Sequence, residues 1–254
     1  MQNWLAPFDT AWDVVGFAAF LLVFPIYHTV YPYFAARRPG HTARGRVDAL
    51  RHSWIEGLIE RGDVTTAAQQ TRNLTMVNSI LVSSALILLG ITVNLLVNVP
   101  QRNQVAEIVP GDWSADPDAI RIKLCLLIVV FAAAFSFCMT ALRHLGHFVL
   151  IIGADPRLVS EYYGSAADYF ADLINRASHR YTLGVRSFYA TFPLLAWLFD
   201  SHLFVAMTLF WGFKFIGFQD FRAKRFASDE AETEERGGGG EEELGRMEDA
   251  EELR

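Results

Sequence analysis

The sequence predicts an all-α, polytopic helical membrane bundle with five transmembrane helices and two amphipathic surface helices, and three observations carry that prediction. Residues 74–97 run for 24 positions without a charge. That length suits a helix crossing ~30 Å of hydrocarbon at ~1.5 Å per residue. The chain is 52% hydrophobic over 254 residues, with 20 Phe and 6 Trp, enough for one helical membrane domain but not two ordinary folded ones. Its charge is also segregated. Residues 229–254 hold 12 of the 28 acids and 3 of the 22 basic residues, a balance of −9, while the rest carries +3. The organisation read from this is a membrane domain over residues 1–226 and an acidic, disordered cytoplasmic tail over 227–254. A nucleic-acid binder would show a basic field, and none is present.

The first predicted span covers residues 14–33. No Lys or Arg precedes it and its apolar run exceeds a signal-peptide core, so it reads as permanent. Pro25 removes one backbone hydrogen bond and predicts a kink. Tyr27, Tyr31 and Tyr33, with His28 among them, suit the aromatic belt at a membrane boundary. A polar segment comes next, in which Val47, Leu50, Trp54, Ile55, Leu58 and Ile59 recur at helical spacing. This is the first amphipathic surface helix. Gly62 should break it and Asp63 should cap the next helix, which continues into the span at 74–97.

Within that second span Thr75, Ser79, Ser83, Gly90 and Asn94 fall on one side at helical pitch, a stripe of small and polar residues expected to pack against other helices. Residues 99–119 are rich in Pro, Gly and Asp and read as an exposed loop. The third span, 124–141, carries its own line at Ala132, Ser136, Thr140 and then His144. Asp155-Pro156 should end this helical stretch. Residues 158–177 read as a second amphipathic surface helix, too polar to span. The fourth span lies at 187–199, beginning near Leu183 if Arg186 snorkels. Asp200-Ser201 makes a turn into the fifth span at 203–218. Cys125 and Cys138 lie on one helix about 20 Å apart, too far for a disulfide.

Charge predicts orientation. With the amino terminus outside and the carboxyl terminus cytoplasmic, 19 of 22 basic residues lie inside, leaving Arg102, Arg121 and Lys123 outside. The expected location is therefore a multi-pass integral membrane position, in the cell membrane for a prokaryotic source.

The motifs along the body resemble the membrane-protein family called domain of unknown function 599. The matching residues are Tyr27-His28; Pro39, Thr42, Gly45, Arg51 and Trp54; Gln69, Arg72-Asn73 and Met76; Arg143, His147 and Pro156. A last group, Tyr181, Gly184, Arg186, Phe188-Tyr189, Pro193 and Trp197, is the most specific. Asp200-Ser201 departs from the Gly-Pro turn the family would place there, and the acidic tail lies outside the pattern. The resemblance spans residues 14–220 and implies a helical membrane domain without an established activity, so no catalytic residue carries over.

The polar residues suggest one constellation. Arg72 and Asn73 open the second span, Arg143 and His147 close the third, Arg186 opens the fourth, and His28 approaches from the first. Guanidinium groups gathered at one depth would suit a phosphate or carboxylate, because Arg presents a planar fork of donors. The simpler reading is that each Arg snorkels to lipid headgroups at its own helix end. His144 and His147 share a face, yet no acid or Cys stands at ligand spacing, so neither metal nor other cofactor is expected. No HExxH, GxSxG, phosphate-binding Gly loop or CxxC is present, and no enzyme is expected. The leading expectation is a membrane protein that binds an anionic small molecule or lipid headgroup at its cytoplasmic face. The acidic tail would serve a protein partner or regulation, and a homo-oligomer fits as well. The alternative is a small transporter or channel lined by polar helix faces.

Overall fold

The computed structural model describes residues 11–26, 43–99 and 117–219. Among these residues the chain forms seven α-helices and no strand. They are α1 (Ala11–Leu21), which runs into a π-helical turn (Leu22–Ile26), α2 (Ala43–Arg61), α3 (Val64–Asn98) and α4 (Pro117–Ile151). After these come α5 (Pro156–Tyr163), α6 (Ala166–Phe199) and α7 (Ser201–Gln219). The π turn holds Pro25, whose missing N–H loosens the helix at that point. His28 and the other residues of 27–42, the loop at 100–116 and the tail lie outside the described residues.

Local chemistry sets the helix ends. Gly62 takes φ +63° and closes α2, and Asp63 Oδ1 accepts from the Thr66 N–H to cap α3. Asp155 caps α5 by accepting from the Arg157 N–H, with Pro156 at the first helical position. Asp200 Oδ1 accepts from the backbone N–H of His202 and Leu203 and starts α7. One boundary differs from the sequence reading. The amphipathic stretch 158–177 is not one helix, because Gly164 at φ +88° ends α5 and Ser165 caps α6. The break splits its apolar face: Phe170, Leu173, Ile174 and Ala177 are buried, whereas Leu158, Tyr162 and Tyr163 stay exposed. Beyond Ser165 the helix is continuous, so the later part of 158–177 and the predicted fourth span form a single 34-residue helix.

The spine of the fold is the antiparallel pair α4 and α6. From Leu124 onward the buried positions of α4 are Leu124, Leu127, Phe131, Ala134, Cys138, Ala141, Leu145, Phe148 and Ile152 (just past its end). They alternate three and four apart, the pattern of a helix–helix seam. Gly184 of α6 lies against Cys138, so close that an added Cβ would overlap the Cys138 Sγ. Phe148 meets Phe170 edge-on at 6.0 Å. Helix α3 joins α4 on another side through Ala67, Thr71, Asn78, Ala85 and Thr92, of which the last four recur every seven residues. At mid-length Asn78 Nδ2 donates to the Cys138 carbonyl at 2.8 Å.

This seam corrects the packing expectation for α3. Ser79, Ser83, Gly90 and Asn94 are exposed and Thr75 is half-buried, so that row does not carry packing within the chain. The reason is angular. Residues four apart advance by about 40° per step and wind away from a neighbour, whereas residues seven apart drift only ~20° and stay beside it. Of the α4 line only Ser136 is exposed, and Ala132, Thr140 and His144 are half-buried.

The remaining helices form two clusters at opposite ends of the spine. At one end α1 and α7 meet α6 in an aromatic cluster of Phe20, Phe24, Trp197, Phe204, Trp211 and Phe215. There Asp13, 3% exposed, accepts from Trp197 Nε1 at 2.7 Å and from the Ser201 hydroxyl, fastening α1 to the α6–α7 corner. At the other end α2 and α5 cover the start of α6 and the end of α4 through Ile55, Leu58, Val159 and Phe170.

Two helices, α3 and α4, are long and apolar enough to cross a membrane. Only 11% of the most apolar stretch of α3 is buried, and Ile80, Leu86, Ile87 and Ile91 are all more than half exposed. A charge-free helical stretch that exposes this much apolar surface and packs along one narrow seam has the surface of a lipid-facing span.

Candidate functional site

The antiparallel registers decide which polar groups share a level. The contact of Gly184 with Cys138 brings Arg176 and Arg180 of α6 beside His144 and Arg143 of α4. The Asn78–Cys138 bond sets Arg72 of α3 level with His144 as well. Arg143, Arg176, Arg180 and Arg72 are exposed, and His144 is half-buried. We call this the basic end of the bundle.

His144 reports the electrostatics. It lies beyond the charge-free 124–141 stretch of α4, and burial depresses its pKa below the ordinary histidine value. The positive charges of Arg176, Arg180 and Arg143 push in the same direction, and Asp172 alone opposes them. Asp172 Oδ2 is paired with Arg176 at 2.7 Å. Three guanidinium groups thus act on one imidazole, and one carboxylate opposes them. Such a face offers planar donor forks to an oxyanion.

Not every residue expected at this site reaches it. Arg143 and Arg72 do, at one level. Asn73 is exposed on α3, and His147 is occupied nearby, 3.3 Å from the Tyr169 hydroxyl. Arg186 does not join them. Two residues past the Gly184–Cys138 crossing, it sits roughly 10 Å deeper than Arg143, beyond a Debye length of ~8 Å. It is 9% exposed, with its guanidinium 6.0 Å from the Phe215 ring. The sequence reading put Arg186 at a helix start, but α6 begins at Ala166 and carries it into the bundle. Asp168, the acid in the first turn of α6, is engaged elsewhere. His52 lies 2.6 Å from it and, with Ser165, holds its carboxyl below the usual range.

Arg176 and Arg180 are the residues that sequence reasoning missed. Their signal was present as Asp172, Arg176 and Arg180, each four apart on one face of α6. Among the described residues no group of three or more His, Cys, Asp or Glu comes together as a metal site would require. No curated protein and no solved structure matches the chain. Residues 15–223 match the family model described as protein of unknown function, DUF599, and the chain belongs to that family.

Proposed function

We propose that this is a five-span membrane protein whose cytoplasmic face binds an oxyanion, either on a soluble small molecule or on a lipid headgroup. The observation that carries the reading is the Gly184–Cys138 register that sets Arg143, Arg176 and Arg180 at the level of His144, with Arg176 paired to Asp172. Charges held this close repel one another, and a phosphate or carboxylate among them relieves that repulsion while accepting charge-assisted hydrogen bonds. The five spans, with the amino terminus outside, rest on charge asymmetry: 19 of 22 basic residues fall on one side. In a Cys125→Ser background, Ser114→Cys should react with an impermeant thiol reagent in intact cells, and Ser228→Cys should not. The reverse pattern ends this orientation.

Binding is tested by calorimetry on the protein in uncharged detergent with inorganic phosphate, and on nanodiscs with and without phosphatidylglycerol. Arg143→Gln and Arg180→Gln should each weaken affinity about tenfold, the loss of roughly 1.5 kcal/mol of charge-assisted hydrogen bonding. Response to phosphate alone identifies a soluble ligand, and response to the anionic lipid alone identifies a headgroup. Affinities unchanged in both variants overturn the site.

The transporter reading has one observation in its favour, the burial of Arg186 inside the bundle against Phe215. Ionisable groups at such depth mark solute pathways in many membrane proteins. Anion flux into proteoliposomes that is lost in Arg186→Gln would favour it.

A further inference from the structure

Helix α7 leaves the bundle beside the basic end. Tyr189 stacks on Trp211 at 4.4 Å and Arg186 lies 6.0 Å from Phe215. These two contacts set the register of α7 against α6, and they bring Gln219 level with residue 182, close in depth to Arg180. Helix α7 therefore ends, at Gln219, at the depth of Arg143, Arg176 and Arg180, whichever way the bundle is oriented. From Gln219 to Asp229, the first acid of the tail, there are ten residues, a reach of up to ~33 Å. Neighbouring helix axes stand only about 8–10 Å apart. Residues 229–254 carry 12 acids and 3 basic residues, a net −9. Among the described residues Asp172, paired with Arg176 at 2.7 Å, is the one carboxylate acting on His144, against three arginines.

We infer that the acidic carboxyl-terminal segment, residues 229–254, folds back onto the Arg143, Arg176 and Arg180 face of its own chain and competes there with external oxyanions. This rests on the anion-site reading for what is excluded, but not for the docking itself. A tethered segment acts at an effective concentration in the millimolar range. Even glutamates that bind only weakly are therefore a standing competitor. The contact is made of exposed charges, so it weakens as salt shortens the Debye length. Ligand would then bind when a partner or raised ionic strength draws the tail away.

The test separates docking from competition. Arg180→Lys keeps the charge and supplies an amine at the centre of the face. Carbodiimide treatment of full-length protein at low salt should join that amine to a glutamate within residues 241–252, as read by peptide mass spectrometry. The link should disappear at 0.5 M NaCl. Mixing heavy- and light-isotope protein before the reaction distinguishes the same chain from a second copy. A link within one chain supports the inference; absence of the link at low salt, or a link only between copies, overturns it. In the second arm, truncation after Ser228 should raise the affinity for inorganic phosphate roughly 3- to 10-fold, as expected when a millimolar internal competitor is removed. A link within one chain, with phosphate bound by neither full-length nor truncated protein, shows docking without an anion site and removes the competition. Phosphate binding that truncation does not change, with no link, sinks the fold-back and leaves the anion site standing.

Discussion

Gly184→Ala tests the crossing that sets the depth of every candidate residue. An added Cβ would overlap the Cys138 Sγ and stand 3.4 Å from the Cys138 nitrogen and 3.6 Å from the Ala134 carbonyl oxygen. The overlap with sulfur must be relieved by moving a helix, because Cys138 is 0% exposed and hemmed in. Overpacking of this kind costs about 1–3 kcal/mol, and the better helix propensity of Ala returns up to ~1 kcal/mol. The expected net destabilisation is ~1–2 kcal/mol, a fall in Tm of about 3–6 °C for a domain of this size. In a Cys138→Ala background the sulfur is gone and the two remaining contacts are ordinary. There Gly184→Ala should be neutral or stabilising by up to ~1 kcal/mol. The pair thus reverses sign, a coupling of at least ~1 kcal/mol. Intrinsic tryptophan fluorescence during heating in detergent reads all four proteins. Equal shifts from Gly184→Ala in both backgrounds would refute the crossing, and with it the alignment of Arg176 and Arg180 with Arg143.

Two further expectations come from the same registers. Ala85→Leu, at a fully buried seam position of α3, should destabilise by ~1–3 kcal/mol. Ser83→Leu, on the exposed side, should stay within about 0.5 kcal/mol by the same thermal assay, and the opposite order would place the seam elsewhere. The other expectation is a pH dependence through His144, which faces Arg176, Arg180 and Asp172 of α6 with Arg143 on its own helix and Arg72 at the same level of α3. Folding depresses its pKa, so the unoccupied protein binds fewer protons than the unfolded chain near pH 6.5 and loses stability as pH falls through that range. A bound oxyanion attracts the imidazolium and raises that pKa, so binding takes up a proton. Affinity for sulfate, whose own charge is constant there, should rise between pH 7.5 and 5.5. His144→Asn should give a flat profile, and an unaltered slope in that variant assigns the proton to another group.

Helix boundaries were legible from sequence wherever local chemistry decides them. Gly62 followed by Asp63, Asp155 followed by Pro156, and Asp200 followed by Ser201 each supply a stop or a cap from their own backbone and side chains. The break at Gly164-Ser165 carried the same chemistry and was masked by an apolar periodicity that continued through it. Family membership was also readable, because spaced residues such as Tyr181, Gly184 and Arg186 can be read without any knowledge of their contacts, and the family match covers them. Two things belonged to the tertiary structure. On a helix as apolar as α3, lipid and protein make the same demand of a side chain, so composition does not reveal which face packs. The choice of Thr71, Asn78, Ala85 and Thr92 over Thr75, Ser79 and Ser83 arose from the path of α4 beside it. Depth was the other. Arg186 lies inside, and Arg176 and Arg180 meet His144, because one glycine lets α6 cross α4 at Cys138 and nowhere else along its length would the same residues align.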